Sequence, residues 1–423
     1  MTKPKRGVYL QLIPKATQDL HQHVFGRFKA GIWTITAIEL LSAAGFSICL
    51  PFLALYLYQE RGLPMTLVGM VILIAGLCSA ATQMVGGELS DRFGRRPLLL
   101  GAAGIRVLLY FGMAVLIGIS APIWAIVAAY IAGQSVGMMV HPATSAMVAD
   151  LSPKDRLTET YGFLRVGRNV GWAAGPAVGG YLATFLPYAW LFGVAALIGA
   201  LAFCIVLLFL RESFHRVTEK VNLRSMFSAA SDHTFLMFTG LSLLVFLAMG
   251  QLISTLSVFT VDRIGFTTAQ YGLLLTMNGL IVILFQYPVA RGVDRLAKSS
   301  ALILGSLLYG LGYLSLGWVG TFAWALVAIV IITAGEIIFS PTALAVVGEL
   351  SPQDRRGRYM GFFGLSEILG ISVGPLVGGV LLDVFPTDPQ FIWGTIAFVA
   401  FAAAVGFYKW GHRATSSKID TNV

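Results

Sequence analysis

The chain has 423 residues, of which 57% are hydrophobic and only 12% are charged, and its formal net charge at pH 7 is +9. With a mean hydropathy of +0.80, it has too little polar surface to cover a soluble globule of this length, which indicates an integral membrane protein. The basic residues are spread over many short segments and do not form one patch, so no nucleic-acid partner is expected.

Residues 1–31 are a basic, mostly polar segment that precedes the first long apolar stretch. That stretch is too long for the hydrophobic part of a cleavable signal peptide, so none is expected. Residues 8–25 place apolar side chains among polar ones, which fits either an amphipathic helix on the membrane surface or a partly ordered tail. We predict that residues 1–31 are a cytoplasmic N-terminal segment.

Twelve apolar stretches follow, each close to the roughly 20 residues that a helix needs to cross the hydrocarbon core. These predicted spans, numbered 1 to 12 in chain order, are residues 32–58, 67–89, 98–119, 122–148, 160–184, 190–210, 236–259, 270–289, 300–317, 322–347, 360–382 and 391–410. The predicted fold class is therefore an all-α integral membrane protein.

The longest connection divides the twelve spans into two halves of six. We predict a first six-helix bundle at 32–210, a cytoplasmic linker with short surface helices at 211–235, a second six-helix bundle at 236–411, and a cytoplasmic tail at 412–423. The other connections are short, so they leave no room for a soluble catalytic domain.

The distribution of Lys and Arg predicts the orientation in the membrane. Outside the spans, only Arg61 and Arg263 fall in odd-numbered connections, whereas the other basic residues lie in the tails and the even-numbered connections. By the positive-inside rule, both termini are expected in the cytoplasm. We predict a multi-pass protein of the cell membrane, which in a prokaryote is the inner membrane.

The connection between spans 2 and 3 reads Gly-Glu-Leu-Ser-Asp-Arg-Phe-Gly-Arg-Arg-Pro at residues 87–97, in a tight turn. An aspartate can accept hydrogen bonds at the N-terminal end of a neighbouring helix, and the arginines can pair with acids or lipid phosphates. A generic basic loop is the alternative interpretation. The order resembles the loop signature of the major facilitator superfamily, and the resemblance implies a cytoplasmic gate formed by Gly87, Asp91, Arg92, Gly94, Arg95 and Arg96.

Residues 290–298 resemble a decayed second copy of this loop. They keep the pair Asp294-Arg295 but lack the flanking glycines, so we expect a weaker gate in the second half.

Span 4 departs from the pattern of one branch of that superfamily. Many of its drug:proton antiporters carry an arginine in the fourth span that is thought to tune proton exchange. The corresponding stretch here, residues 129–134, reads Ala-Tyr-Ile-Ala-Gly-Gln. Because the arginine is absent, coupling by that route is not expected.

The thirty residues that begin at Leu151 resemble the thirty that begin at Leu350, at a constant offset of 199 positions. A period near half the chain length indicates a duplicated half-protein. The matched residues of the first copy are Gly162, Gly171, Gly175, Pro176, Gly179 and Gly180, and those of the second are Gly361, Gly370, Gly374, Pro375, Gly378 and Gly379.

Small residues near helical spacing make a smooth helix face, and a proline permits bending. The first copy resembles the fifth-helix signature of the antiporter branch, which implies export through a bent helix that seals the cavity. A close-packing face alone is the other interpretation, and the second copy in span 11 supports some packing role.

Across nearly the whole chain, this combination of spans, loop and glycines resembles the major facilitator superfamily. The resemblance implies two pseudo-symmetric six-helix bundles and a monomer. It also implies that spans 1, 4, 7 and 10 line a central cavity, that spans 2, 5, 8 and 11 flank it, and that the remaining spans are scaffold.

Charged residues inside a membrane are costly and usually face protein or water. Away from the ends of the spans they are Glu39, Arg106, Arg165, Arg168, Glu336 and Glu367, together with His141. The implied architecture places Glu39, Arg168, Glu336 and Glu367 at the cavity and Arg106 on the scaffold. His141 precedes Pro142, so it is either a kink-site residue bonded to a freed carbonyl or a proton relay.

Arg168 and Glu367 are repeat partners, at the same depth in spans 5 and 11. We hypothesise that Glu367 or Glu336 takes up a proton in apolar surroundings, and that Arg168 restores ionisation when the cavity closes. Fixed structural ion pairs are the alternative. Glu39 is expected either to contact a cationic substrate or to pair with a neighbouring arginine.

The predicted function is a proton-coupled antiporter that exports small amphipathic compounds or drugs by alternating access. The alternatives are an importer or facilitator of a polar metabolite, and a non-transporting membrane sensor or assembly partner. The chain has no phosphate loop, no His-Glu-x-x-His and no complete dinucleotide fingerprint. We therefore expect no enzyme activity, no cofactor and no metal, and the proton gradient as the energy source.

Overall fold

The computed structural model describes residues 28–152, 156–213, 227–293, 295–352 and 355–420, so the predicted surface segment at 8–25 lies outside the described residues. All regular elements of the described part are helical, which confirms the all-α fold class. The α-helices are Ala30–Leu55, Met65–Phe93, Arg95–Gly118, Ile123–Met139, His141–Leu151, Leu157–Phe185, Ala189–Phe209, His233–Met249, Thr255–Val258, Thr268–Val293, Lys298–Leu316, Phe322–Leu350, Arg356–Val384 and Pro389–Asp420.

Three of the spans are not single α-helices. Span 1 passes from Ala30–Leu55 directly into a π-helical turn at Tyr56–Glu60. Span 4 consists of Ile123–Met139 and His141–Leu151, and Pro142 at the start of the second piece cannot donate a backbone hydrogen bond to the first. Span 7 passes from His233–Met249 through a 3₁₀ turn at Gly250–Leu252 to Thr255–Val258 and a π-helical turn at Phe259–Arg263.

Eleven helices of the described chain are long and apolar enough to cross a membrane by length and composition. The helix Leu157–Phe185 is not among them, although it has 29 residues. It carries Glu159, Arg165 and Arg168, whose charges lower its hydropathy, and it packs along span 1 over much of its length. We count it as span 5, which gives the twelve spans.

The two halves repeat the same packing. Within the first half, span 1 packs on span 5, span 2 on span 4, and span 3 on span 6; spans 7, 8 and 9 pack in the same way on spans 11, 10 and 12. Between the halves, span 2 packs on span 11 and span 5 on span 8. The duplication in the sequence therefore corresponds to a pseudo-symmetric pair of six-helix bundles.

Large apolar side chains cover the outer surface. Leu108, Trp124, Leu197, Leu208 and Phe398 are each at least 70% exposed. Exposed apolar side chains at this density would be costly in water, whereas in a bilayer they face lipid.

The two halves meet toward one side of the membrane. We call the side on which span 1 begins the near side and the side on which span 1 ends the far side. In the described part of the chain, hydrogen bonds between the halves join residues of the far half of the spans, such as Tyr58 with Arg263 at 3.2 Å and Thr276 with Ala173 at 2.8 Å. The far side is therefore sealed in this conformation.

The described part of the linker is short. A 3₁₀ turn at Phe227–Ser231 precedes Asp232, whose Oδ1 accepts from the backbone N–H of Phe235 at 3.0 Å and caps span 7. Span 7 therefore begins at His233, three residues before the predicted boundary. The surface helices predicted for the rest of the linker fall on residues 214–226, outside the described residues.

Candidate functional site

The glycines of the first copy lie where span 5 crosses its neighbours. Gly171, Gly175 and Gly179 face span 1, and a Cβ atom added to Gly175 would lie 2.9 Å from both the carbonyl oxygen of Ala44 and the Cβ of Ser47. Gly180 faces the opposite way and contacts the carbonyl oxygen of Thr268 at the start of span 8. Gly162 faces open space. This arrangement places span 5 against span 1 and against the other half at once.

Pro176 also lies where span 5 of the first half packs against span 8 of the second half. It lies inside the helix, and its carbonyl oxygen contacts Gly272 of span 8.

The second copy repeats this geometry in span 11. Gly370, Gly374 and Gly378 face span 7, while Gly379 contacts the backbone of Met65 at the start of span 2. The two seams between the halves are thus built alike, each from a glycine of the repeated stretch and the first turn of a helix in the opposite half.

Charged and titratable side chains converge at the middle of the first half. Nη1 of Arg168 lies 2.7 Å from Nε2 of His141, the first residue of the second piece of span 4. His141 also interacts electrostatically with Glu39 of span 1. His141 is therefore bonded to an arginine side chain, where the kink-site interpretation expected a backbone carbonyl.

Arg165 and Arg168 of the first half interact electrostatically with the acids of the second half. Arg165 interacts electrostatically with both Glu336 and Glu367, and Arg168 interacts with Glu367. The Arg165 side chain is exposed although it lies within a span. In the described part of the chain these groups form no direct ion pair, so the charges face each other across a gap.

Glu336 is held by an amide. Nδ2 of Asn278, from span 8, donates at 2.9 Å to Oε2 of Glu336 and at 2.9 Å to Oγ1 of Thr333. Two buried tyrosines of span 9, Tyr309 and Tyr313, interact electrostatically with this carboxyl group. The amide of Asn278 thus orients the carboxyl group through one of its two oxygens.

Arg106 lies on span 3, as expected, but its side chain points into the first half. Nη2 donates to the hydroxyl of Tyr110 at 2.9 Å, and the guanidinium interacts electrostatically with Glu39. A Cβ atom on Gly137 of span 4 would lie 3.6 Å from Cζ of Arg106, so the guanidinium lies against span 4 at this glycine. An arginine thus lies beside span 4, although span 4 contributes none itself.

The near-side loop is shorter than the predicted turn. Helix Met65–Phe93 continues through most of the motif, and Gly94 alone separates it from Arg95–Gly118. Gly94 has a φ of 94°, a backbone conformation that favours glycine. The carboxylate of Glu212, in the connection that follows span 6, accepts from the backbone N–H groups of Arg95 at 3.2 Å and Arg96 at 3.1 Å, which caps span 3.

Arg95 and Arg96 of the near-side loop bond to residues of the first half. Arg95 is 4% exposed, pairs with Asp150 at the end of span 4, and donates to the carbonyl oxygen of Ala146 at 3.0 Å. Arg96 donates to the carbonyl oxygen of Leu207 at 2.9 Å. These bonds hold the near ends of spans 3, 4 and 6 together.

The other residues of this loop make weaker contacts in this conformation. Arg92 lies over the ring of Phe93 at 5.2 Å, and Asp91 interacts electrostatically with Arg95. Gly87 lies inside the last turns of span 2, with Pro142 as its nearest neighbour. Asp294 of the second copy lies outside the described residues.

Sequence reasoning missed Asp150 and Glu212 as partners of the loop. The sequence did carry a signal for Asp150, because its repeat partner, 199 positions later, is Glu349, so both copies have an acid at this place. In the structure, Glu349 pairs with Lys298 of the second copy of the loop. Nothing in the sequence marks Glu212, since it belongs to a different connection. Arg165 was visible only as a charge within a span.

The described residues contain no cluster of three or more His, Cys, Asp or Glu side chains that could hold a metal ion.

Comparison with known proteins identifies the family of this architecture. The family model of the Major Facilitator Superfamily matches residues 35–342 and 238–421. The chain is 28% identical over 348 residues to the uncharacterized MFS-type transporter YttB of Bacillus subtilis, which covers 81% of this chain and 86% of that protein.

Two further relatives have functional names. A Na(+), Li(+), K(+)/H(+) antiporter of Planococcus maritimus is 26% identical over 407 residues, covering 88% of this chain and 93% of the relative. The multidrug resistance protein MdtH of Salmonella paratyphi B is 24% identical over 392 residues, covering 90% and 94%.

The same fold occurs among solved structures. A POT family transporter in complex with a thioalcohol-conjugated peptide superposes with a TM-score of 0.77 at 16% identity, covering 90% of this chain and 96% of that one.

Proposed function

The chain belongs to the major facilitator superfamily and is a membrane transporter, not an enzyme; on that premise we propose that it is a proton-coupled antiporter. In this proposal it exports small amphipathic compounds by alternating access. The near side is the cytoplasm, in accord with the positive-inside distribution of Lys and Arg.

The observation that carries this proposal is the series of charged and titratable groups across the centre of the molecule. Arg106, Glu39, His141 and Arg168 interact in turn within the first half, and Arg168 interacts with Glu367 of the second half. Charges placed within a membrane are retained where they serve transport or pair with one another. The gap between Arg168 and Glu367 changes when the halves move, so the charges respond to alternating access.

We assign the proton to Glu367 or Glu336. When the cavity is open, either carboxyl group can exchange a proton with water; when the halves approach on the near side, Arg165 and Arg168 come closer and favour the ionised carboxylate. Binding of the proton and closure are thereby coupled. A proton moving inward with the membrane potential supplies about 2.3 kcal/mol per 100 mV, enough to sustain an outward gradient of substrate.

Glu39 is the proposed contact for a cationic substrate. It lies on span 1 and interacts electrostatically with Arg106 and His141, so its availability depends on these two side chains. The names of the antiporter and multidrug relatives support antiport and export, while the fold alone is shared with a peptide transporter.

Transport by the purified chain in proteoliposomes tests this proposal. Vesicles with an acidic lumen receive a panel of cationic, neutral and anionic amphipathic compounds outside, and uptake is compared with vesicles at equal pH. Antiport predicts accumulation of at least one compound that depends on the acidic lumen and collapses when a protonophore is added.

Three other outcomes would each replace the proposal. Uptake that follows protons in the same direction would indicate an importer of a polar metabolite. Equilibration without any dependence on pH would indicate a facilitator. A folded protein that moves none of the panel, and whose dissipation of a pH gradient none of the compounds stimulates, would indicate a sensor or assembly partner.

A further inference from the structure

A carboxylate of span 11 caps the first turn of span 2 from the opposite half of the molecule. Oδ1 of Asp383 accepts from the backbone N–H of Met65 at 3.0 Å, and Oδ2 accepts from the backbone N–H and the hydroxyl of Thr66, both at 2.7 Å. The first backbone N–H groups of a helix have no partner within the helix, so an anion there is stabilised by hydrogen bonds and by the helix dipole.

The other far-side seam has no such charge. The residue equivalent to Asp383 after subtraction of the repeat offset is Thr184. Its hydroxyl lies 2.9 Å from the hydroxyl of Thr268 at the start of span 8, and Thr268 Oγ1 donates to the carbonyl oxygen of Gly180 at 3.0 Å. Two seams with the same backbone packing are therefore closed by different chemistry, one ionic and one neutral.

At the near ends of spans 2 and 11 there is a second aspartate, Asp91, which belongs to span 2. Spans 2 and 11 run antiparallel along each other. Asp383 ends span 11 and caps the beginning of span 2, while Asp91 is near the end of span 2, on the side where span 11 begins. In the sealed far-side conformation Asp383 is bonded across the seam, whereas Asp91 interacts with Arg95 of its own half.

We propose that Asp383 is a positioning residue of the far-side gate: its carboxylate holds the far side closed, and its three hydrogen bonds must break each time that side opens. The inference rests on the proposed alternating-access function. Because the bonds exist only in the far-closed state, removal of the charge shifts the population toward the far-open state.

Hydrogen–deuterium exchange of the full-length protein in lipid nanodiscs tests this inference. In Asp383→Asn, the amide nitrogen cannot accept a hydrogen bond, so one of the two acceptor atoms is lost. A helix cap contributes about 1 kcal/mol, which corresponds to roughly a five-fold change in the closed-to-open ratio. We expect faster exchange at residues 62–70 and also in the second seam at 176–184 and 268–276, with slower exchange at the near ends of spans 2 and 11.

The remote seam distinguishes a gate from a local cap. Asp388→Asn is the matched control, because Asp388 Oδ1 caps the N–H of Phe391 at 2.9 Å within the second half only. It should change exchange near residues 389–392 alone. Thr66→Val removes one of the three donors and should give the Asp383→Asn pattern at smaller amplitude.

A change confined to residues 62–70 in both seam variants would overturn the proposal, as would an unchanged pattern. Size-exclusion profiles identify a variant that fails to fold, in which case Thr66→Val decides. The measurement uses neither substrate nor a proton gradient, so its failure is distinct from failure of the transport assay.

Discussion

Nη1 of Arg168 lies 2.7 Å from Nε2 of His141, and only the arginine can be the donor. Nε2 therefore accepts, and the neutral imidazole carries its proton on Nδ1. A doubly protonated imidazole has no acceptor and would repel the guanidinium. Arg168 can thus be held by His141 only while His141 is neutral, and when it is released, Glu367 is an alternative partner.

We predict that an acceptor at position 141 is needed for transport. His141→Leu leaves the guanidinium of Arg168 without its partner, and hydrogen bonds to charged groups contribute about 1.5–3 kcal/mol, so proton-driven uptake should fall by roughly ten-fold or more. His141→Gln supplies a side-chain carbonyl and should retain most of the activity. Initial uptake rates in proteoliposomes measure both, and equal loss in the two variants would argue against the acceptor role.

Variants of the two acids of the second half should distinguish proton coupling from substrate movement. If Glu367 carries the proton, Glu367→Gln loses the dependence of uptake on the pH gradient but still exchanges labelled for unlabelled substrate, because that exchange needs no proton release. The same expectation applies to Glu336→Gln if Glu336 is the carrier. Parallel assays of pH-driven uptake and substrate exchange test both. Retention of pH-driven uptake in both variants means that neither acid carries the proton.

Arg106 and Glu39 should be energetically coupled. Arg106→Gln removes the cation that interacts electrostatically with Glu39, and Glu39→Gln removes the carboxylate, whereas the double variant removes both charges. Thermal unfolding midpoints of the four proteins form a double-mutant cycle, and we expect a coupling of about 1 kcal/mol or more. Additive effects of the two substitutions would show that the guanidinium and the carboxylate are independent.

The glycines of span 5 should differ in their tolerance of a methyl group. Gly175→Ala forces a Cβ against span 1 at 2.9 Å, and overpacking of this kind costs about 1–3 kcal/mol. Gly162→Ala meets open space in the same helix and should stabilise it by up to about 1 kcal/mol, because alanine favours helix. Thermal unfolding compares them, and equal midpoints would contradict the packing role of Gly175.

The two equivalent near-side ion pairs should contribute unequally. Asp150→Asn removes the carboxylate that pairs directly with the buried Arg95, and breaking a buried pair destabilises by about 3–5 kcal/mol. Glu349→Gln breaks the exposed pair with Lys298, for which about 0–1 kcal/mol is typical. Unfolding midpoints should fall clearly for the first variant and little for the second. A larger loss for Glu349→Gln would reverse this ranking.

Much of the fold was predictable because it depends on local properties. The apolar length of each stretch decides whether it can cross the bilayer, and the spans begin within a few residues of their predicted positions. Span 5 was found by the same criterion although its arginines lower its hydropathy. The repeated glycines predicted close helix packing, and the structure places them against spans 1, 2, 7 and 8.

The partners of the charged residues could not be derived in the same way. In a soluble helix, a polar stripe marks the exposed face, but a helix in lipid is apolar nearly all round, so its periodicity does not reveal which way a given residue points. Arg106 was therefore assigned to the scaffold from its span alone, whereas its side chain enters the first half.

Sequence by itself determined that this is a membrane protein, that it has twelve spans and a duplicated half, and at which glycines its helices approach closely. These properties follow from hydropathy and from the absence of a side chain. Tertiary structure decided which polar groups bond to each other: Arg168 with His141, Arg106 with Tyr110, and Asp383 with the first turn of span 2, more than 300 residues away in the chain. These contacts depend on how each helix is rotated and on how the two halves are docked, and both are set by packing between helices.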